Sequence, residues 1–253
     1  MSAAGSGPDR TVAGVDGCPA GWIAVTLDSE GRRPPAMTVH RRFAEILESQ
    51  AATIAVDMPI GLPDRILRHG RAPERVVRRE LGERQSSVFS VPSRSAVWAG
   101  FGMSDHDAYR AVCAEALATS DPPRKISKQC FHLLPKIREI DGLMTPALAG
   151  RVFEVHPEVA FWRLNDGQAM RLPKKVKGSV NPAGLEERIG LLERFGYDRG
   201  FLQQPLPSRV GRDDLVDAAV AALIARRLLE GTASPFPDPP ERDSRGLTVA
   251  IWA

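Results

Sequence analysis

Apolar and polar positions alternate along the start of the chain. Thr11 to Asp16 is a short apolar strand, Gly17-Cys18-Pro19-Ala20-Gly21 carries turn chemistry, Trp22 to Asp28 alternates, Ser29-Glu30-Gly31 turns again, and Ala36 to Arg42 alternates once more. Phe43, Ile46 and Leu47 then recur at helical spacing, which predicts a helix over Phe43 to Gln50 ahead of a buried strand over Thr53 to Asp57. The predicted order is β-β-β-α-β with the first three strands antiparallel. A crossover through the helix sets the fourth strand parallel to the first, so Asp16 and Asp57, each at the C-terminal end of its strand, are expected at one edge of adjacent strands.

From about residue 60 to 145 the pattern changes to helices and loops, broken by Pro63, Pro73, Pro92 and Asp121-Pro122-Pro123, and reads as a helical insertion. Helices are expected over Pro73 to Glu83, Asp105 to Ala118 and Ser127 to Ile140, with Pro73 at a first helical position, Ser127 as N-cap and a bend at Pro135. A fifth strand over Arg151 to His156 follows, then a short helix from Pro157, a helix over Gly184 to Phe195 and an alanine-rich helix over Asp214 to Leu229. Thr232 to Gly246, rich in Pro and charge, is expected to be loop ahead of an apolar run over Leu247 to Trp252. The pattern reads as one domain over residues 11–253 behind a disordered tail over residues 1–10.

Composition narrows the class. With 253 residues and 43% apolar content the chain can bury a sizeable core, and no apolar run approaches the ~18 residues that span a bilayer. Cys18, Cys113 and Cys130 lack metal-type spacing, and residues 1–8 lack the parts of a signal peptide, so a cytoplasmic protein with no membrane partner is expected. A net charge of +3 permits a nucleic-acid partner without requiring one.

The acids carry the candidate chemistry. Asp16 and Asp57 end apolar strands, and Asp213-Asp214-Leu215-Val216-Asp217 opens the alanine-rich helix. Carboxylates gathered at one sheet edge repel unless divalent cations sit between them, which points to metal-assisted phosphoryl chemistry with Mg²⁺ or Mn²⁺. Each acid also has a plainer reading. Asp16-Gly17 is common in hairpin turns, Asp57 can cap the Met58-Pro59 turn, and acids in a first helical turn complement the helix dipole. Capping is assigned to Asp213, while Asp214 and Asp217, at i and i+3, share a face beside the small residues Ala218 and Ala221. Glu154 is a further candidate ligand and Glu158 a dipole partner; His156 is more simply a structural His than a proton carrier, and Glu139 is a weaker candidate.

The β-β-β-α-β order followed by a strand and an acidic helix resembles the ribonuclease H-like fold. Five motifs are narrower: Gly14 to Trp22, Val56 to Pro63, Leu81-Gly82 with Ser86-Ser87-Val88-Phe89, Glu154 to Glu158, and Asp213 to Ala218. Together they resemble the signatures of the family filed as domain of unknown function 429, predicted RNase H-like nucleases, over about Thr11 to Arg226. The resemblance implies that Asp16 binds metal, as the matching acid does across that superfamily. The Asp214-x-x-Asp217 spacing also resembles the C-terminal helix of Holliday-junction resolvases.

Between Arg65 and Arg94 eight arginines face three glutamates. Arginine without lysine suits bidentate phosphate contact, which makes Arg75, Arg78, Arg79, Arg84 and Arg94 candidate substrate contacts, with Lys177 in a second basic loop beside Arg171, Lys174 and Lys175. The leading expectation is a nuclease whose Asp16, Asp57, Asp214 and Asp217, with Glu154, do metal-dependent phosphodiester hydrolysis on DNA or RNA. Two alternatives stand beside it: a non-catalytic binding protein of the same fold, and an actin or sugar-kinase type phosphotransferase, against which the absence of a second copy of the fold argues.

Overall fold

The computed structural model describes residues 10–68, 70–176 and 178–253. The tail expected over residues 1–10 falls outside them except for Arg10, as does Lys177. The chain opens with β1 (Thr11–Cys18), β2 (Gly21–Asp28), β3 (Ala36–His40), α1 (Phe43–Leu47) and β4 (Thr53–Val56). Next come β5 (Ile66–Leu67), α2 (Ala72–Leu81), α3 (Arg94–Trp98), α4 (Asp105–Ala118), β6 (Ser120–Asp121) and α5 (Lys128–Leu143). The remainder is β7 (Val152–Glu154), α6 (Pro157–Leu164), the short pair β8 (Lys175–Val176) and β9 (Ser179–Val180), α7 (Pro182–Arg194), α8 (Arg199–Gln203), α9 (Arg212–Leu229), β10 (Pro235–Arg242) and β11 (Thr248–Trp252).

The result is an α/β fold around a five-stranded mixed sheet of order β3-β2-β1-β4-β7, with nine helices among the described residues. β1, β2 and β3 are antiparallel neighbours, whereas β4 runs parallel to β1 and β7 parallel to β4. Alternation along the strands separates two cores. Val12 and Ala55 face the side of α6, α7 and α9, while Ala13, Val15, Ile54 and Val56 face the side of α5, where Leu134, Ile137 and Ile140 are buried. Pro157 takes the first turn of α6, and the Ser127 hydroxyl accepts the Cys130 N–H at the start of α5.

One segment departs from the sequence pattern. Residues 235–242, expected within a loop, form β10 against β11, with partners only at Pro235, Phe236, Glu241 and Arg242 and an irregularity between them. Pro235, Pro237, Pro239 and Pro240 lack the N–H a central strand needs, but an edge strand with a bulge tolerates them. Among the described residues no helix is long and apolar enough to cross a membrane.

Candidate metal centre

Parity along the strands decides where the acids point. Val12 and Gly14 lie against the α9 side, so Asp16, two residues on, turns to the same side; Ala55 and Asp57 follow the same rule on the next strand. The Asp57 N–H donates to the Val15 carbonyl at 2.9 Å, fixing the two strand ends side by side. α9 supplies the third acid. A Cβ on Gly14 would stand 2.0 Å from the Ala222 nitrogen and 2.2 Å from the Ala218 carbonyl oxygen, so the helix backbone lies directly on β1. That close approach carries Asp217, one turn before Ala221, down to the strand ends.

Asp16, Asp57 and Asp217 each offer a carboxylate oxygen, all within 4.8 Å of one another. They line a cleft of about 410 Å³ together with Asp213, Asp214, Glu158, Arg84, Lys174 and Lys175. Burial, then the carboxylates of Asp57 and Asp217, hold the Asp16 carboxyl well above its ordinary value. Burial and Asp217 push Asp57 up to about 8, and burial also raises Asp217 although a cation touches it. That cation is Lys174, whose ammonium donates to Oδ2 of Asp217. Burial alone would depress the ammonium, but Asp217 and Asp16 outweigh it and keep Lys174 protonated. The other oxygen, Oδ1 of Asp217, is buried without a hydrogen-bond partner among the described residues.

Capping at the start of α9, expected of Asp213, falls to Asp214. Gly211 is the N-cap, so Asp214 falls at the third helical position and its Oδ2 accepts the Gly211 N–H at 2.8 Å. Asp213 instead meets the Lys175 ammonium at 3.0 Å; burial works upward on it, but that contact outweighs burial and keeps its carboxyl below the ordinary value. Asp214, pushed up to about 6 mainly by burial, lines the cleft beside the three clustered acids.

Glu154 is occupied elsewhere. Its carboxylate takes the Arg71 guanidinium at 2.6 Å and the Ile60 N–H at 2.7 Å, and Arg71 also binds Glu74 and the carbonyls of Ile60 and Gly61. This buried network clamps the loop that leaves Asp57, so Glu154 acts here by positioning. Glu158 pairs with the fully buried Arg188, whose Nη1 also donates to the Leu172 carbonyl and so steadies the approach to Lys174. His156 sets Nε2 3.3 Å from the Ser87 carbonyl, which can only accept, so the proton is on Nε2 and the enclosed Nδ1 is without a partner among the described residues. Glu139 accepts from the Trp22 indole and the Phe43 N–H.

The arginine run divides. Arg75 donates to the Gly70 carbonyl, Arg78 to the Val88 carbonyl and Ser90, and Arg94 to Asp141 and Asp243. Arg79 is exposed on α2, and of the five candidate arginines Arg84 is the one that lines the cleft. Lys174 was read only as part of a basic loop and not as the partner of Asp217, and Arg188 was not singled out. Arg188 had one signal, a lone guanidinium beside Ile189, Leu191 and Leu192 on an apolar helix face.

The sheet and its acids define an α/β protein with a buried carboxylate cluster at the junction of two parallel strands and a helix. The chain belongs to the family described as protein of unknown function (DUF429), whose profile matches residues 14–242. Comparison with curated proteins and with solved structures gave no match.

Proposed function

We propose that the chain is a metal-dependent phosphodiesterase acting on nucleic acid, a nuclease of ribonuclease H-like type. The observation that carries this reading is the meeting of Asp16, Asp57 and Asp217 with an unpartnered buried oxygen on Asp217. The strand order supports it, since the two central parallel strands supply the first two acids and a long helix the third.

The donor set fits a hard divalent cation. It is all carboxylate, without His or Cys, which suits Mg²⁺ or Mn²⁺ and not zinc. Two like charges 4 Å apart repel by about 4 kcal/mol at an effective dielectric of 20, and one Lys174 ammonium answers only one of three carboxylates. Asp16, Asp57 and Asp217 would hold the ion, with Asp214 beside them. When bound, such an ion lowers the pKa of a water and stabilises charge on a phosphoryl oxygen.

The chain's own groups handle the substrate. Among the described residues six acids and three cationic side chains line the cleft, and burial favours the protonated forms of Asp16 and Asp57; a divalent cation would displace those protons and supply the positive charge that a phosphodiester meets, so binding there depends on the metal. Arg84 at the wall is placed to hold a backbone phosphate, while Lys174 offsets part of the burial that raises the Asp217 carboxyl. Hydrolysis forms one P–O bond to water and breaks one to the sugar oxygen, which leaves with a proton.

The Lys174–Asp217 contact favours one competing reading, a non-catalytic protein whose acids are neutralised from within. A cleavage assay separates the two. Labelled single- and double-stranded DNA and RNA are incubated with the full chain in millimolar Mg²⁺, Mn²⁺ or chelator. Metal-dependent cleavage is expected, with Asp217→Asn slowing it at least ~100-fold by analogy with the sensitivity of metal sites to their supporting groups. No cleavage of any of the four substrates, or an unaffected variant, contradicts the nuclease reading.

A further inference from the structure

A second cavity of about 220 Å³ opens on the other flank of α5, and no acid of the metal centre lines it. β5 and β6 build it. Their parallel register sets Leu67 against Asp121, which brings Arg68 from one segment beside Arg124 and Lys125 from a segment more than fifty residues away. All three cations are exposed, and among the described residues none of their side chains has a hydrogen bond or ion pair. Asp121 is the one acid in the lining, so the cavity keeps a surplus of two positive charges. Phe89 and Ile126, both half-buried, give it an apolar wall.

Like charges drawn from remote segments gain nothing from each other. They are favoured where an anion joins them, and an apolar wall beside them adds a place for a ring. The volume, below the ~300 Å³ of a drug-sized pocket, suits a single phosphorylated unit. Its position supplies the context. Phe89 also lines the carboxylate cleft, and α5 presents Gln129 and Leu133 to that cleft while Ser127 and Cys130 line the cavity.

The geometry points to a subsite for one nucleotide unit of the strand held in the cleft, its phosphate against Arg68, Arg124 and Lys125 and its base against Phe89 and Ile126. This rests on the nuclease reading for the identity of the strand, but binding is measured without cleavage. The probes are adenosine 5′-monophosphate in chelator, where the cleft takes no part, and a six-nucleotide single strand in Ca²⁺, used with the wild type and with Arg124→Ala/Lys125→Ala. Both changes are at exposed side chains without a hydrogen bond or ion pair among the described residues, so the variant is expected to keep the wild-type melting temperature, which is measured alongside.

The expected result is binding of both probes, the oligonucleotide more tightly, with each weakened at least tenfold by the double variant. The slope of log affinity against log salt for the oligonucleotide should also fall by about 0.7, the value for one phosphate contact on a single strand. Loss of the mononucleotide with unchanged oligonucleotide binding would make this an independent nucleotide site and overturn the subsite. Unchanged binding of both probes, or no binding of either, would overturn the site itself. If both probes behave as expected while no substrate is cleaved, the subsite stands and the nuclease reading falls.

Discussion

Burial and the Asp217 carboxylate push the Asp57 carboxyl up to about 8, whereas an unfolded chain releases the same proton near 4. Between those values the folded, metal-free protein binds more protons than the unfolded one, so stability is greatest below about pH 4 for this group and is lost as pH rises through about 8. Asp57→Asn removes the loss. In chelator the variant should melt about 2–4 °C above the wild type at pH 8, and the gap should close toward pH 4, for a relief of at least ~1 kcal/mol. A gap that is constant with pH, or of opposite sign, would show that Asp57 is not held protonated by its neighbours. Asp16 and Asp57 were legible as chemistry because each ends an apolar run. The occupation of Glu154 was not, because its partner Arg71 stands 83 residues earlier in the chain and nothing in a local pattern reports so distant a contact.

Elements set the cluster through one close approach. β1 carries no side chain at Gly14, α9 offers Ala218, Ala221 and Ala222, and the two backbones meet there. The small residues on α9 made this approach readable in advance. Gly14→Ala drives a methyl into the α9 backbone and should destabilise by about 1–3 kcal/mol or more in chemical denaturation. Gly190→Ala is the control: it lies within α7, its Cβ meets nothing within 4 Å, and it should stabilise by roughly 0.5–1 kcal/mol. If both changes have the same effect, the packing of α9 on β1 does not position Asp217. The start of α9 was read two residues late, at Asp214 instead of Arg212 with its cap at Gly211, and this moved capping onto the wrong aspartate. β10 was hidden for a different reason. Four prolines obscure a strand whose pairing is confined to its ends.

Across the whole molecule, the three antiparallel strands and the fourth strand parallel to β1 were readable from apolar spacing and the crossover rule, whereas the place of β7 beside β4 was not read. Charge was not readable either. Arginine excess over residues 65–94 counts cations but not their partners: Arg71 and Arg94 tie distant segments together through acids, and Arg75 and Arg78 are spent on nearby carbonyls. Of the cations that line a cavity, Arg84 stands at the cleft and Arg68, Arg124 and Lys125 at the second cavity, with Phe89 lining both. The centre of the account is that Asp16, Asp57 and Asp217 share one divalent cation. The most direct measurement is the thermal melt of the full chain at pH 7.5, titrated with Mn²⁺, for the wild type and for Asp16→Asn, Asp57→Asn and Asp217→Asn. The account predicts that the wild type gains about 2.7 kcal/mol when the ion reaches a hundred times its dissociation constant, while each variant gains little, Asp16→Asn and Asp57→Asn starting above the wild type in chelator and Asp217→Asn, which strips Lys174 of its partner, starting below it. A wild type whose melting is indifferent to millimolar Mn²⁺, or variants that respond as fully as it does, would contradict it.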